Sequence, residues 1–159
     1  MKKIIVLSVV TAVAFFSLYS QSGAYAPSTG DSGFDSVLMN INLEASLSLP
    51  EFKAEMSIEF NAATTLIDTL FNVEKIAPAD VYCILEISSV ISKPAATVIE
   101  MYKKNKANGW KFILSQLGIK PGSKEFKALK ERGKKKNEML KEKRKIKEKG
   151  NNGNSKKNK

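Results

Sequence analysis

Apolar side chains recur at spacings of three and four from Val37 to Leu129, and no stretch alternates strictly between apolar and polar residues. That spacing lines one face of a helix, whereas a half-buried strand needs a period of two. Start and stop signals cut the pattern repeatedly. Asp35 or Ser36 is placed to cap a helix reaching about Leu47, with Val37, Leu38, Ile41 and Ala45 facing inward. Ser48 caps a second, opening Leu49-Pro50-Glu51, where a proline in the first turn costs little. Phe52, Met56 and Phe60 form its stripe. Asn61 caps a third, carrying Leu66, Ile67, Leu70 and Phe71 and ending near Asn72.

Ala77-Pro78-Ala79-Asp80 opens a fourth helix with Val81, Ile84, Leu85, Ile87 and Ile91. Ser92-Lys93-Pro94 opens a fifth with Val98, Ile99 and Tyr102. Asn108-Gly109 breaks the chain, and Trp110, Ile113, Leu114 and Leu117 make a sixth. Gly118 then stops that helix in the left-handed conformation. Lys120-Pro121-Gly122 is a turn, and Ser123 caps a last segment with Phe126 and Leu129. The expected fold is all-α: a compact bundle of five to seven short helices over residues 35–132. Trp110, Gly118, Pro121 and Gly122 are its expected structural anchors.

The first 26 residues have the layout of an export signal. Met1-Lys2-Lys3 is a positive start, Ile4–Tyr19 is an uncharged and almost wholly apolar run, and Ala24-Tyr25-Ala26 is a small-residue exit. Two cleavage points are open, near 24 behind Ser22-Gly23-Ala24 or at 26. The bond after Ala26 is the poorer one, because Pro27 has no N–H and a fixed φ. A retained anchor is the third option, although a run of 16 residues is shorter than the roughly 20 that span a bilayer. Residues 27–34 read as a polar linker. The chain is expected in the periplasm, envelope or exterior of a bacterium.

Charge is split along the chain. Residues 27–122 hold 8 Lys/Arg against 11 Asp/Glu, whereas residues 123–159 hold 16 against 5. Residues 133–159 read as a basic, mostly disordered tail. Met139, Leu140 and Ile146 are too few to offset the entropy of ordering it, although Glu138–Lys149 can form a transient helix. The expected polyanion-binding residues are Lys134, Lys135, Lys136, Lys141, Lys143, Arg144, Lys145, Lys147 and Lys149.

Histidine is absent and Cys83 is the only cysteine. That removes Ser-His-Asp and Cys-His catalysis, His-ligated metals and the usual zinc sites. Cys83, in Val81-Tyr82-Cys83-Ile84-Leu85, reads as a small buried hydrophobe. Asp80 reads as a helix cap or first-turn acid, and Asp68, Glu74, Glu86 and Glu100 as solvated faces. Asp80 and Glu86 are the least poor pair for a carboxylate-only enzyme. No catalytic residue, cofactor site or metal site is assigned, and the chain reads as a non-enzyme. The glycine turns lack the spacing and the preceding strand of a phosphate loop.

Over residues 77–130 the chain resembles an uncharacterised group of small exported bacterial helical proteins. The resemblance rests on Pro78-Ala79-Asp80-Val81-Tyr82, Ser92-Lys93-Pro94, Gly109-Trp110, and Leu117-Gly118-Ile119-Lys120-Pro121-Gly122-Ser123 with Phe126. The group's pattern has a glycine after the tryptophan and a histidine after the phenylalanine, where this chain has Lys111 and Lys127. The resemblance implies export and a helical domain and supplies no catalytic residues. The Gly-Trp…Leu-Gly-Ile segment is also similar to the second half of a helix-turn-helix. An export signal disfavours that use, and nucleic acid ranks low as a partner. The leading expectation is an exported binding module attaching through its tail to anionic envelope lipid or glycan. A partner-binding periplasmic scaffold is the alternative, with a possible protein partner and no oligomeric state assigned.

Overall fold

The computed structural model describes residues 25–154. Its elements run α1 (Ser32–Leu47), α2 (Leu49–Glu59), α3 (Thr64–Asp68) continuing into a π-helical turn (Thr69–Val73), and α4 (Pro78–Val90). They continue with α5 (Ala95–Asn105), a 3-10 turn (Lys106–Asn108), α6 (Gly109–Gln116) and α7 (Lys124–Asn154). Among the described residues there is no strand, in keeping with the three-and-four spacing. None of their helices is long and apolar enough to cross a membrane. The proposed signal lies outside the described residues except for Tyr25 and Ala26.

Helix α4 is the axis of the core, buried without a break from Ala79 to Ile87. Helices α1 and α5 pack along it, α7 lies against α1 and reaches α4, α6 packs on α5, and α2 packs on α3. Cys83 is buried in this axis as expected, and burial pushes its thiol pKa up. Edge-to-face ring pairs join separate elements: Phe34 of α1 to Phe126 of α7 at 5.8 Å, and Phe52 of α2 to Phe71 of the π turn at 6.3 Å. Such pairs add about 0.5–1.5 kcal/mol beyond their buried area.

Helix boundaries depart from the sequence reading at three starts. The cap of α1 is Asp31, whose Oδ1 accepts from the Phe34 N–H at 2.8 Å, so the helix begins before Asp35. Helices α3 and α5 follow Ala63 and Pro94, not Asn61 and Ser92. Asn61 and Ser92 instead end the helices before them, with left-handed φ of 48° and 52°. At Asn61 the N–H donates to Ile58 O, and the next N–H, of Ala62, to Ser57 O. Ser92 and Lys93 bond back to Ser89 and Ser88 in the same way. These are Schellman stops, the motif also made after α6, where the Gly118 N–H donates to Ser115 O and the Ile119 N–H to Leu114 O. Gly118 and Ser123 fall where expected, the latter accepting from the Phe126 N–H at 3.1 Å, whereas Ser48 holds the N-cap position of α2 without a side-chain hydrogen bond to the helix.

Residues 27–31 are not a free linker. Pro27 and Thr29 are buried, and Asp35 Oδ1 accepts from both the N–H and the hydroxyl of Thr29 at 2.7 Å. The strap then runs over the start of α6. Trp110 N–H donates to Pro27 O at 3.0 Å and Lys111 N–H to Ser28 O at 2.8 Å. These two amides belong to the first turn of α6, which has no partners of its own for them. Gly109 sits at φ 73°, and a Cβ there would stand 2.8 Å from the Ser28 Cβ, so strap and helix can meet only over glycine.

The segment read as a disordered tail is helical as far as Asn154. Gly133 does not end α7; it lets α7 approach α1. A Cβ at Gly133 would lie 3.2 Å from both Phe34 and Val37. Beyond it Lys136, Asn137 and Leu140 are buried.

Candidate functional site: a carboxylate node and a two-faced basic helix

Asp80 stands at the third position of α4, where a carboxylate also suits the helix dipole. It is only 7% exposed and turns inward. Oδ1 accepts from the Tyr25 hydroxyl and from Trp110 Nε1, both at 2.6 Å. Oδ2 accepts from the Tyr102 hydroxyl at 2.7 Å. The Tyr102 and Trp110 rings lie 5.3 Å apart. Burial first, and then the charge of Asp80, push the Tyr25 and Tyr102 hydroxyl pKa values up, so both stay protonated as donors. A cleft of about 110 Å³ beside the node is lined by Tyr25, Asp80, Tyr102, Lys106 and Trp110. The node therefore ties the N-terminal strap, α5 and α6 to α4.

Three neutral donors engage both oxygens of Asp80, which is what a buried carboxylate requires. Glu86, six residues on, serves a different neighbour. It is 3% exposed and accepts from Arg132 Nη1 at 2.8 Å. The Tyr82 hydroxyl beside it has its pKa pushed up by burial and by the Glu86 charge. Glu86 is thus not a solvated-face acid, and the two carboxylates do not converge on one pocket.

The second assembly is the inner face of α7. Lys130 donates to Asp31 Oδ1 and Oδ2 at 2.9 and 2.8 Å. Lys136 donates to Glu55 at 3.0 Å and Glu59 at 2.7 Å, with its ammonium 5.6 Å over the Phe52 ring. Lys143 also reaches Glu55. Arg144 binds the buried Glu44 at 2.8 Å and Glu148 of its own helix at 2.9 Å. Lys147 meets Glu51 at 3.0 Å. The Lys130 ammonium lowers the pKa of Asp31, and Lys147 lowers that of Glu51. Burial works to raise the Glu55 carboxyl, and Lys143 with Lys136 outweighs it.

The nine lysines and arginines read as one polyanion site are therefore not equivalent. Lys136, Lys143, Arg144 and Lys147 are turned to the acidic body, and Lys136 is buried. Lys134 is exposed and pairs with Glu131 at 2.8 Å. Lys135, Lys141, Lys145 and Lys149 enter no ion pair among the described residues, and all but the half-buried Lys141 are exposed. Lys124 and Lys127 extend this outer face toward the helix start.

Among the anchors, Trp110 is buried and Gly118 and Gly122 both take φ 82°, while Pro121 lies in the exposed turn. The sequence reading missed Tyr25, Asp31, Lys130 and Arg132. Only Tyr25 left a trace in the sequence: a large aromatic in an exit segment where small residues suffice. No family model matches this chain, and no similarity to a curated protein or to a solved structure was found.

Proposed function

We propose that this chain is an exported, non-enzymatic helical module that docks on anionic envelope lipid or glycan through the outer face of α7. The observation carrying this reading is the division of α7 into two faces. Its inner cations are spent on Asp31, Glu44, Glu51, Glu55, Glu59 and Glu86. Lys124, Lys127, Lys135, Lys141, Lys145 and Lys149 stay outside those pairs. At 1.5 Å per residue, Lys124 to Lys149 spans about 38 Å of straight helix. Each lysine near an anionic membrane contributes about 1 kcal/mol at low salt, and Glu131, Glu138 and Glu142 on the exposed surface subtract from the total. The export signal and the resemblance of residues 77–130 to exported helical proteins support the same reading.

The test is sedimentation of the full chain with anionic and with neutral vesicles at low and high salt. Binding to anionic vesicles alone, released by salt, is the expected result. Changing Lys135, Lys141, Lys145 and Lys149 to Glu should abolish it. Equal sedimentation of that variant would remove the proposal.

A second reading, a partner-binding scaffold, rests on α1. Met39, Leu43 and Leu47 are 48%, 58% and 62% exposed at spacings of four. They form an apolar stripe on the helix side away from α4. Leu47 also borders a groove of about 290 Å³ with Phe52 and Leu140 in its lining. Light scattering on the chain and on Leu43→Lys separates the readings. A self-association lost in the variant favours the scaffold.

A further inference from the structure

We propose that processing cuts the chain between Ala24 and Tyr25, making Tyr25 the first residue of the exported protein. This inference rests on the export reading and selects one of the two bonds that the sequence leaves open. Ser22-Gly23-Ala24 and Ala24-Tyr25-Ala26 both present small residues at the required spacing. What separates them is the work done by Tyr25. Its hydroxyl donates to the buried Asp80 at 2.6 Å and its ring packs against the core. A cut at Ala26–Pro27 discards this side chain. Asp80 Oδ1 would then keep only the Trp110 donor, and the place of the Tyr25 ring at the 110 Å³ cleft would stand open.

The strap argues the same way. Pro27 is buried and its carbonyl accepts from the Trp110 N–H, so a cut just before it would leave this anchoring residue as the chain end, with nothing ahead of it to hold the strap on α4. A cut after Ala24 leaves every strap contact in place: Tyr25 to Asp80, Trp110 to Pro27, Lys111 to Ser28. Chemically the step is hydrolysis by a signal peptidase. Water adds across the Ala24–Tyr25 peptide bond, the C–N bond breaks, Ala24 leaves with a carboxylate and Tyr25 gains the α-amine. No other reactant is needed.

The experiment is intact mass of the full chain expressed in a Gram-negative host, fraction by fraction, beside Ala26→Leu. Ala26 is exposed, so leucine there leaves the fold intact while spoiling the second site. The expected result is an exported protein beginning at Tyr25 in both forms, the variant differing only by its substitution. A mass beginning at Pro27, or a variant that stays uncut, overturns the proposal and leaves export standing. So does an exported chain that keeps residues 1–24. An uncut chain confined to the cytoplasm overturns both this proposal and the export reading.

Discussion

Asp80 is the residue on which the N-terminal strap, α5 and α6 converge. Hydrogen bonds to an ionised group contribute about 1.5–3 kcal/mol each, and leaving a buried partner unsatisfied costs about 1–3 kcal/mol. Asp80→Asn keeps the shape, removes the charge and turns an amide toward donors. It should lower stability by about 2–3 kcal/mol in a denaturant titration. Tyr102→Phe removes one donor and should lower it by about 1.5 kcal/mol. Because the two share one carboxylate, the double variant should lose less than the sum. Trp110 is the only tryptophan and its Nε1 is in the node, so its native-state emission should shift in Asp80→Asn. Unchanged emission and stability would mean that the node holds nothing. In the sequence Asp80 was legible as a first-turn acid. Its inward turn was not, because its partners lie 55, 22 and 30 residues away.

At the scale of the element, α7 shows why composition misread a segment. A tail with so few large apolar residues has too little surface to bury, and for an isolated chain that reasoning stands. Here the stem of Lys136 is buried, Gly133 permits close approach, and the lysine heads meet carboxylates already placed on α1 and α2. Breaking a buried pair costs about 3–5 kcal/mol. Lys136→Glu puts a third carboxylate beside Glu55 and Glu59, and should undock the C-terminal half of α7. Lys136→Met keeps the stem, leaves Glu55 paired with Lys143, and should cost much less. Thermal melts followed by helical circular dichroism separate the two, and equal melting would sink the ion-pair account.

The same seam has a pH signature. Asp31, Glu51 and Glu55 have lowered pKa values in the folded chain. Their contribution is therefore complete above the ordinary carboxylate value of about 4 and is lost as pH falls through the folded values. The melting temperature should hold from neutral pH to about 5 and decline below about 4. A flat profile would contradict the seam.

Over the whole molecule, the charge split of the sequence becomes a self-neutralising interface with a basic outer surface. Deletion of residues 131–159 consequently does not isolate the docking surface. It also strips Gly133, Lys136 and Leu140 from the body, exposes Phe34 and Phe52, and leaves Glu86 without Arg132. That truncation should lower the melting temperature sharply. The outer-face variant with Lys135, Lys141, Lys145 and Lys149 changed to Glu should melt within a few degrees of the parent, because these side chains form no ion pair among the described residues. If the charge-reversed chain melts as early as the truncated one, the outer lysines have a structural task and the division of α7 into two faces fails.

The sequence by itself determined the all-α class, because spacing of three and four commits each segment to one buried stripe. It also determined the Gly118 stop, where only a residue at ease with positive φ fits, and the opposed charges of body and tail. Tertiary structure decided the rest. Asn61 and Ser92 belong to residue types that begin helices, and here the backbone bonds at each position made an ending instead. Tyr25 acquired a task only when α4 brought Asp80 beside it. The tail became a helix only because folding gathered carboxylates 77 to 100 residues distant along the chain onto one face. Local periodicity carries no record of pairings at that range.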